Sequence, residues 1–133
     1  MVAPIGAQAQ RATKPYRVGV LAGATDENLQ QSLIFFRLDH AANAEQEAGA
    51  KILPSQLILF GNPKGGAPLL QASSTLGIDL PNRVLIWQDA SGKVWLTYNE
   101  IRTLFVRHGI KRTDDQIKAI EDRQKVLFDK AAE

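Results

Sequence analysis

Val84-Leu85-Ile86-Trp87-Gln88-Asp89-Ala90-Ser91-Gly92-Lys93-Val94-Trp95-Leu96 is the stretch that decides the fold class. Two apolar runs, rich in β-branched and aromatic residues, flank the turn formers Asp89-Ala90-Ser91-Gly92. That pattern predicts a β-hairpin. A lone hairpin is marginal in water, so more strands must lie beside it. Upstream, residues 57–60 (Leu-Ile-Leu-Phe) and residues 33–38 (Leu-Ile-Phe-Phe-Arg-Leu) are apolar runs of strand length, and residues 16–23 predict a first strand. Trp87 and Trp95 stand on opposite arms of the hairpin, where core packing is the expected role.

Helical stretches alternate with these strands. Thr25 or Asp26 predicts the cap of a short helix over residues 27–33. Asp39 predicts the N-cap of a helix over residues 41–48 that stops at Gly49. Pro68 suits the first position of a helix reaching Ala72, and Asn99 suits the cap of one bearing Ile101, Leu104 and Phe105 and ending at Gly109. Thr113 and Gln116 have the spacing of a capping box for a last helix, whose apolar stripe is Ile117, Ile120, Leu127 and Phe128. The expected fold is therefore α+β, with an antiparallel-rich sheet of about four to five strands and helices packed on one face.

The chain has 133 residues, 44% apolar and 23% charged, with a net charge of +2. These are the values of one ordinary globular domain. The predicted layout is a flexible N-terminal tail over residues 1–15 and a single domain over residues 16–133. Ala7-Gln8-Ala9 matches the pattern of a signal-peptidase site, so the tail is read as a signal-peptide remnant and the protein as periplasmic or secreted, with the cytoplasm as the alternative. No cysteine is present, which removes disulfides, zinc thiolates, iron–sulfur clusters and thiol nucleophiles. With only His40 and His108 as imidazoles, no metal site and no cofactor are expected. Basic residues never run longer than the Lys111-Arg112 pair, which speaks against nucleic acid, and no apolar run is long enough for a membrane span.

Candidate chemistry gathers at two places. Gly61 and Gly66 have the spacing of a phosphate-binding loop, but Ala67-Pro68 replaces its Lys-Ser/Thr, so nucleotide hydrolysis of that type is excluded. A Gly-rich turn before a helix still predicts free N–H groups at Gly65, Gly66 and Ala67 beside Lys64, suited to a small anion. The competing reading is a turn whose glycines serve backbone geometry alone. Asp39-His40 sits where a strand hands over to a helix; His40 there can serve as a base or as a donor to a ligand. His108, in the last turn of its helix, reads as structural.

Several blocks in order carry a family resemblance: Leu38-Asp39-His40-Ala41-Ala42-Asn43-Ala44, Phe60-Gly61-Asn62-Pro63-Lys64, Pro68-Leu69-Leu70-Gln71-Ala72, Asp79-Leu80-Pro81, Gly92-Lys93-Val94-Trp95 and Tyr98-Asn99. Over residues 34–108 the chain resembles the bacterial family called domain of unknown function 302. The resemblance implies a small α+β domain, dimeric in many members, with no established activity. It marks Asp39, His40, Asn62, Pro63, Lys64, Tyr98 and Asn99 as motif positions. Ala67 departs from the threonine common in relatives, and residues 26–38 are shorter than the family's usual helix, turn and strand. The leading expectation is a small anionic ligand held by Asp39, His40, Asn62, Lys64, Gly65, Gly66, Tyr98 and Asn99. The alternatives are a hydrolase- or isomerase-like enzyme with His40 as general base, and a homodimeric interaction module whose apolar patch lies on the last helix.

Overall fold

The computed structural model describes residues 7–12 and 33–132. Five strands, β1 (Ala7–Ala12), β2 (Leu33–Asp39), β3 (Ser55–Gly61), β4 (Asn82–Gln88) and β5 (Val94–Asn99), form one sheet in the order β1-β5-β4-β3-β2. Every neighbouring pair is antiparallel. The helices are α1 (His40–Ala48), α2 (Pro63–Ala72), α3 (Ile101–Arg107) and α4 (Asp114–Ala132), with a short 3-10 helix at Ser74–Ile78. The α+β class and the antiparallel sheet stand as expected.

Residues 7–12, expected to lie in a tail, instead pair with β5 along their whole length, from Ala7 opposite Asn99 to Ala12 opposite Val94. The small, polar composition hid this strand, because an edge strand is held by ladder hydrogen bonds more than by its side chains. The strand expected over residues 16–23 lies outside the described residues. So does the helix expected from Glu27, except for its last residue, Leu33, which opens β2.

Strand alternation divides the sheet's side chains into two sets. Ile58, Phe60, Val84, Ile86, Leu96 and Tyr98 point to the inner face and are buried against Leu127, Phe128 and Ala131 of α4. Phe128 is fully buried; it meets Phe60 edge-on with ring centres 5.8 Å apart and lies 4.2 Å from the Tyr98 ring. A second core of Leu76, Ile101, Leu104, Phe105, Ile110 and Ile117 joins the 3-10 helix, α3 and the start of α4. The stripe read on the last helix is thus consumed by the core and offers no docking patch.

The hairpin forms as predicted. Asp89 organises it: its Oδ1 accepts from the Ser91 N–H (2.9 Å), the Ser91 hydroxyl (2.6 Å) and the Lys93 N–H (3.0 Å), and its Oδ2 accepts from the Trp95 indole (2.8 Å). These bonds, the Ser91 hydroxyl foremost and then Trp95, lower the carboxyl to about 2. Gly92 supplies the positive φ (+83°) that closes the loop. Trp87 and Trp95 are not in the core. They lie opposite each other on the outer face, half-buried and stacked with ring centres 6.2 Å apart.

Candidate functional site

Asp39 caps α1 as its sequence position suggests. Its Oδ1 accepts from the Ala42 N–H at 3.0 Å, and its Oδ2 accepts from the Gln56 amide at 2.9 Å across the sheet edge. The Ala42 bond, then the Gln56 bond, hold its carboxyl below the ordinary value. His40 follows as the first residue of α1, half-buried.

The Gly-rich segment folds differently from its reading. Helix α2 begins at Pro63, five residues before Pro68, and runs straight through Gly65 and Gly66. Asn62 is its N-cap, accepting from the Lys64 N–H at 2.9 Å, and Pro63 fills the first helical position. An Asn cap followed by Pro is a stronger start signal than Pro68 alone. It outweighs the cost of two helical glycines, about 1 kcal/mol each. The N–H groups of Gly65 and Gly66 donate to the Asn62 carbonyl at 3.0 and 2.9 Å, so they are not available to an anion. The anion cradle expected there is therefore not formed by these two groups.

The eight expected site residues do not converge. Asp39 pairs with Gln56 at the beginning of β3, whereas Asn62 and Lys64 follow its end at Gly61. Five residues of strand, about 17 Å at 3.4 Å per residue, separate Asp39-His40 from Asn62-Lys64. Tyr98 pairs with Val84 and turns its ring into the core, where burial raises its phenol above the usual value. Asn99 ends β5 instead of capping α3; Glu100 takes the N-cap position, without a side-chain cap bond. Asn62, Lys64 and Asn99 thus share one end of the sheet, and Asp39 and His40 the other. A cleft of about 310 Å³ opens between Tyr98 and Glu100 on one side and Glu121 and Lys125 of α4 on the other. Arg102 in its wall is already paired with Asp114 at 2.7 Å and Glu121 at 3.6 Å.

A different polar cluster is assembled, away from the eight expected residues. Asp79, which follows the 3-10 helix, is buried at 7% exposure. Its Oδ2 accepts from His108 Nε2 at 2.7 Å and from the Arg107 guanidinium at 3.0 Å. Burial pushes this carboxyl up, but the His108 and Arg107 bonds outweigh it and the net shift is downward. His108 Nδ1 lies 3.0 Å from Thr75 Oγ1, which in turn lies 3.0 Å from Ser73 Oγ. The His108 side chain is 6% exposed, while Thr75 and its hydroxyl contacts are at the surface.

The proton positions follow from these partners. An ionised Asp79 only accepts, so His108 Nε2 carries the hydrogen between them. In the neutral imidazole Nδ1 is then the acceptor, and the Thr75 hydroxyl donates to it. Thr75 Oγ1 is left to accept from Ser73. With His108 neutral, the hydrogen bonds run from Ser73 through Thr75 and His108 to Asp79, which only accepts. His108 is packed, in keeping with its structural reading, yet both its ring nitrogens are engaged. One signal in the sequence pointed here: Asp79 is a lone carboxylate between Ile78 and Leu80, a place where an acid is costly unless it is paired.

No group of three or more His, Asp or Glu among the described residues is arranged to hold a metal ion, and no helix there is long and apolar enough to cross a membrane. The family model for the domain of unknown function DUF302 matches residues 20–127. The fluoride-specific ion channel FluC 1 of Brucella suis biovar 1 (strain 1330) is 49% identical over 88 residues, which cover 65% of this chain and 34% of that protein. The fluoride-specific ion channel FluC 2 of Brucella melitensis biotype 1 is also 49% identical over 88 residues, covering 32% of its length. The chain therefore spans about a third of the curated relatives it matches. The crystal structure of an uncharacterised conserved DUF302 protein from Bacillus stearothermophilus superimposes with a TM-score of 0.74 at 16% identity, over 97% of this chain and 99% of that one. At that identity the likeness speaks for the fold.

Proposed function

This chain belongs to the DUF302 family, and we propose that it works as an interaction module that pairs with a second copy of itself through the outer face of its sheet. One observation carries the reading: both faces of the sheet carry apolar side chains, and among the described residues the inner set is buried while the outer set is partly exposed. The outer apolar set is Phe36, Leu38, Leu57, Leu59, Leu85, Trp87 and Trp95, placed on one face by the strand register and interrupted by Arg83 and Thr97. Phe36 is 54% exposed and the others are half-buried. Both indoles spend their N–H groups locally, Trp87 on Thr97 at 2.9 Å and Trp95 on Asp89 at 2.8 Å, so the surface they present is apolar. A partner for such a face must itself be apolar. A second copy supplies that surface by two-fold symmetry, with the sheets packed face to face.

The Brucella relatives support a modular role, since there the matched segment forms a third of a longer protein. Sedimentation of the parent beside Leu85→Lys and Phe36→Glu tests the proposal. The parent is expected to sediment as a dimer and both variants as folded monomers. A parent that stays monomeric at every concentration overturns it. A second reading, a small anion, is favoured by the channel name of those relatives. Thermal-shift titrations with fluoride, sulfate and acetate test it; a bound anion raises the melting temperature by mass action, and no shift removes that reading.

A further inference from the structure

We propose that Thr75 is a base-activated hydroxyl nucleophile, with His108 as its general base and Asp79 as the residue that positions the base, able to accept an acyl group from an activated ester. This stands apart from the docking reading and rests on different residues. The geometry is that of a nucleophile, a base and an orienter, recognised by roles rather than by order in the chain. Thr75 Oγ1 and His108 Nδ1 are 3.0 Å apart, and His108 Nε2 and Asp79 Oδ2 are 2.7 Å apart. Burial is distributed as the chemistry needs: the imidazole and the carboxylate are below a tenth exposed, and the hydroxyl is at the surface where an ester can reach it. Arg107 clamps the same carboxylate oxygen at 3.0 Å, which keeps Asp79 an acceptor, so that a neutral His108 carries its hydrogen on Nε2 and turns its bare Nδ1 towards Thr75.

The step balances without a further reagent. Thr75 Oγ1 attacks the ester carbonyl carbon while its proton passes to His108 Nδ1. The tetrahedral adduct then collapses, the bond from carbonyl carbon to leaving oxygen breaks, and the leaving alkoxide or phenoxide takes that proton. The product is an O-acyl threonine, which accumulates because water, with His108 again accepting the proton, hydrolyses it more slowly than it forms. Ser73, 3.0 Å from Thr75, shares a hydrogen bond with Oγ1 and moves no electrons in the reaction.

The probe is p-nitrophenyl acetate, with release of nitrophenol followed by absorbance and the acetylated residue located by mass spectrometry. The parent is expected to carry one acetyl group on Thr75. Thr75→Ser keeps the reaction and Thr75→Val abolishes acetylation at this position. His108→Gln, which leaves the hydroxyl but removes the base, slows it by about 100-fold or more. Melting curves accompany each variant; Thr75→Ser is expected to melt with the parent, and Thr75→Val, which leaves the buried His108 Nδ1 without its hydroxyl partner, somewhat below it. An unmodified Thr75 in the parent, acetyl groups confined to lysines or Ser73, or a His108→Gln rate equal to the parent's would each overturn the proposal.

Discussion

The chain contains two His–Asp pairs, and they behave oppositely. Asp39 and His40 are neighbours in sequence, yet the carboxylate spends its oxygens on the Ala42 N–H and the Gln56 amide. Asp79 and His108 are 29 positions apart and share a 2.7 Å bond in a buried setting. Adjacent side chains on a helix start diverge, so contiguity along the chain does not make a catalytic pair. Tertiary packing of the 3-10 helix against the end of α3 makes one. The first pair ends a strand and begins a helix; the second ties two elements together.

Breaking the distant pair is expected to have the largest effect. Asp79→Ala removes the partner of a buried imidazole and of the Arg107 guanidinium, and should destabilise the fold by about 3 kcal/mol, read from the shift of a urea denaturation midpoint. Acid sharpens the same point. The Asp79 carboxyl is depressed in the folded state, so its share of stability is present above the ordinary carboxylate value of 3.8 and is lost as pH falls through the folded value. Asp79→Asn carries no such group, and its stability should fall less than the parent's as pH drops below 3.8, a range in which Asp89, at about 2, and Asp39, also held low, contribute to the decline of both. A parallel decline in parent and variant would remove Asp79 from the acid limb.

Removing the contiguous pair costs less. Asp39→Ala loses one helix cap and should destabilise by about 1 kcal/mol, with the loss confined to early exchange of the α1 amides. His40→Ala should change stability by no more than about 0.5 kcal/mol. If His40→Ala proved as damaging as Asp79→Ala, the contrast between the pairs would fail.

Much of the fold was legible for local reasons. The hairpin, the Asp39 cap with its Gly49 stop at φ +62°, and the Thr113–Gln116 capping box, reciprocal at 3.2 and 3.3 Å, each depend on residues within a few positions of one another. The start of α2 was local too, but two signals competed and Asn62-Pro63 overrode Pro68. The candidate site was hardly legible. The family blocks and the Gly-rich turn group Lys64 with His40, and only the antiparallel register of β2 on β3 shows that their helices start at opposite ends of the sheet.

By itself the sequence determined the apolar alternation of the strands, the caps and the hairpin, and with them an α+β class, because these follow from steric and hydrogen-bonding preferences acting over a few residues. Only the tertiary structure decided which face of the sheet α4 buries, leaving Trp87 and Trp95 on the other. It also decided that Asp79 would meet His108 instead of Asp39 meeting His40. Both outcomes depend on which distant segments share a core, and an isolated carboxylate beside apolar neighbours gives no hint of which distant cation will compensate its burial.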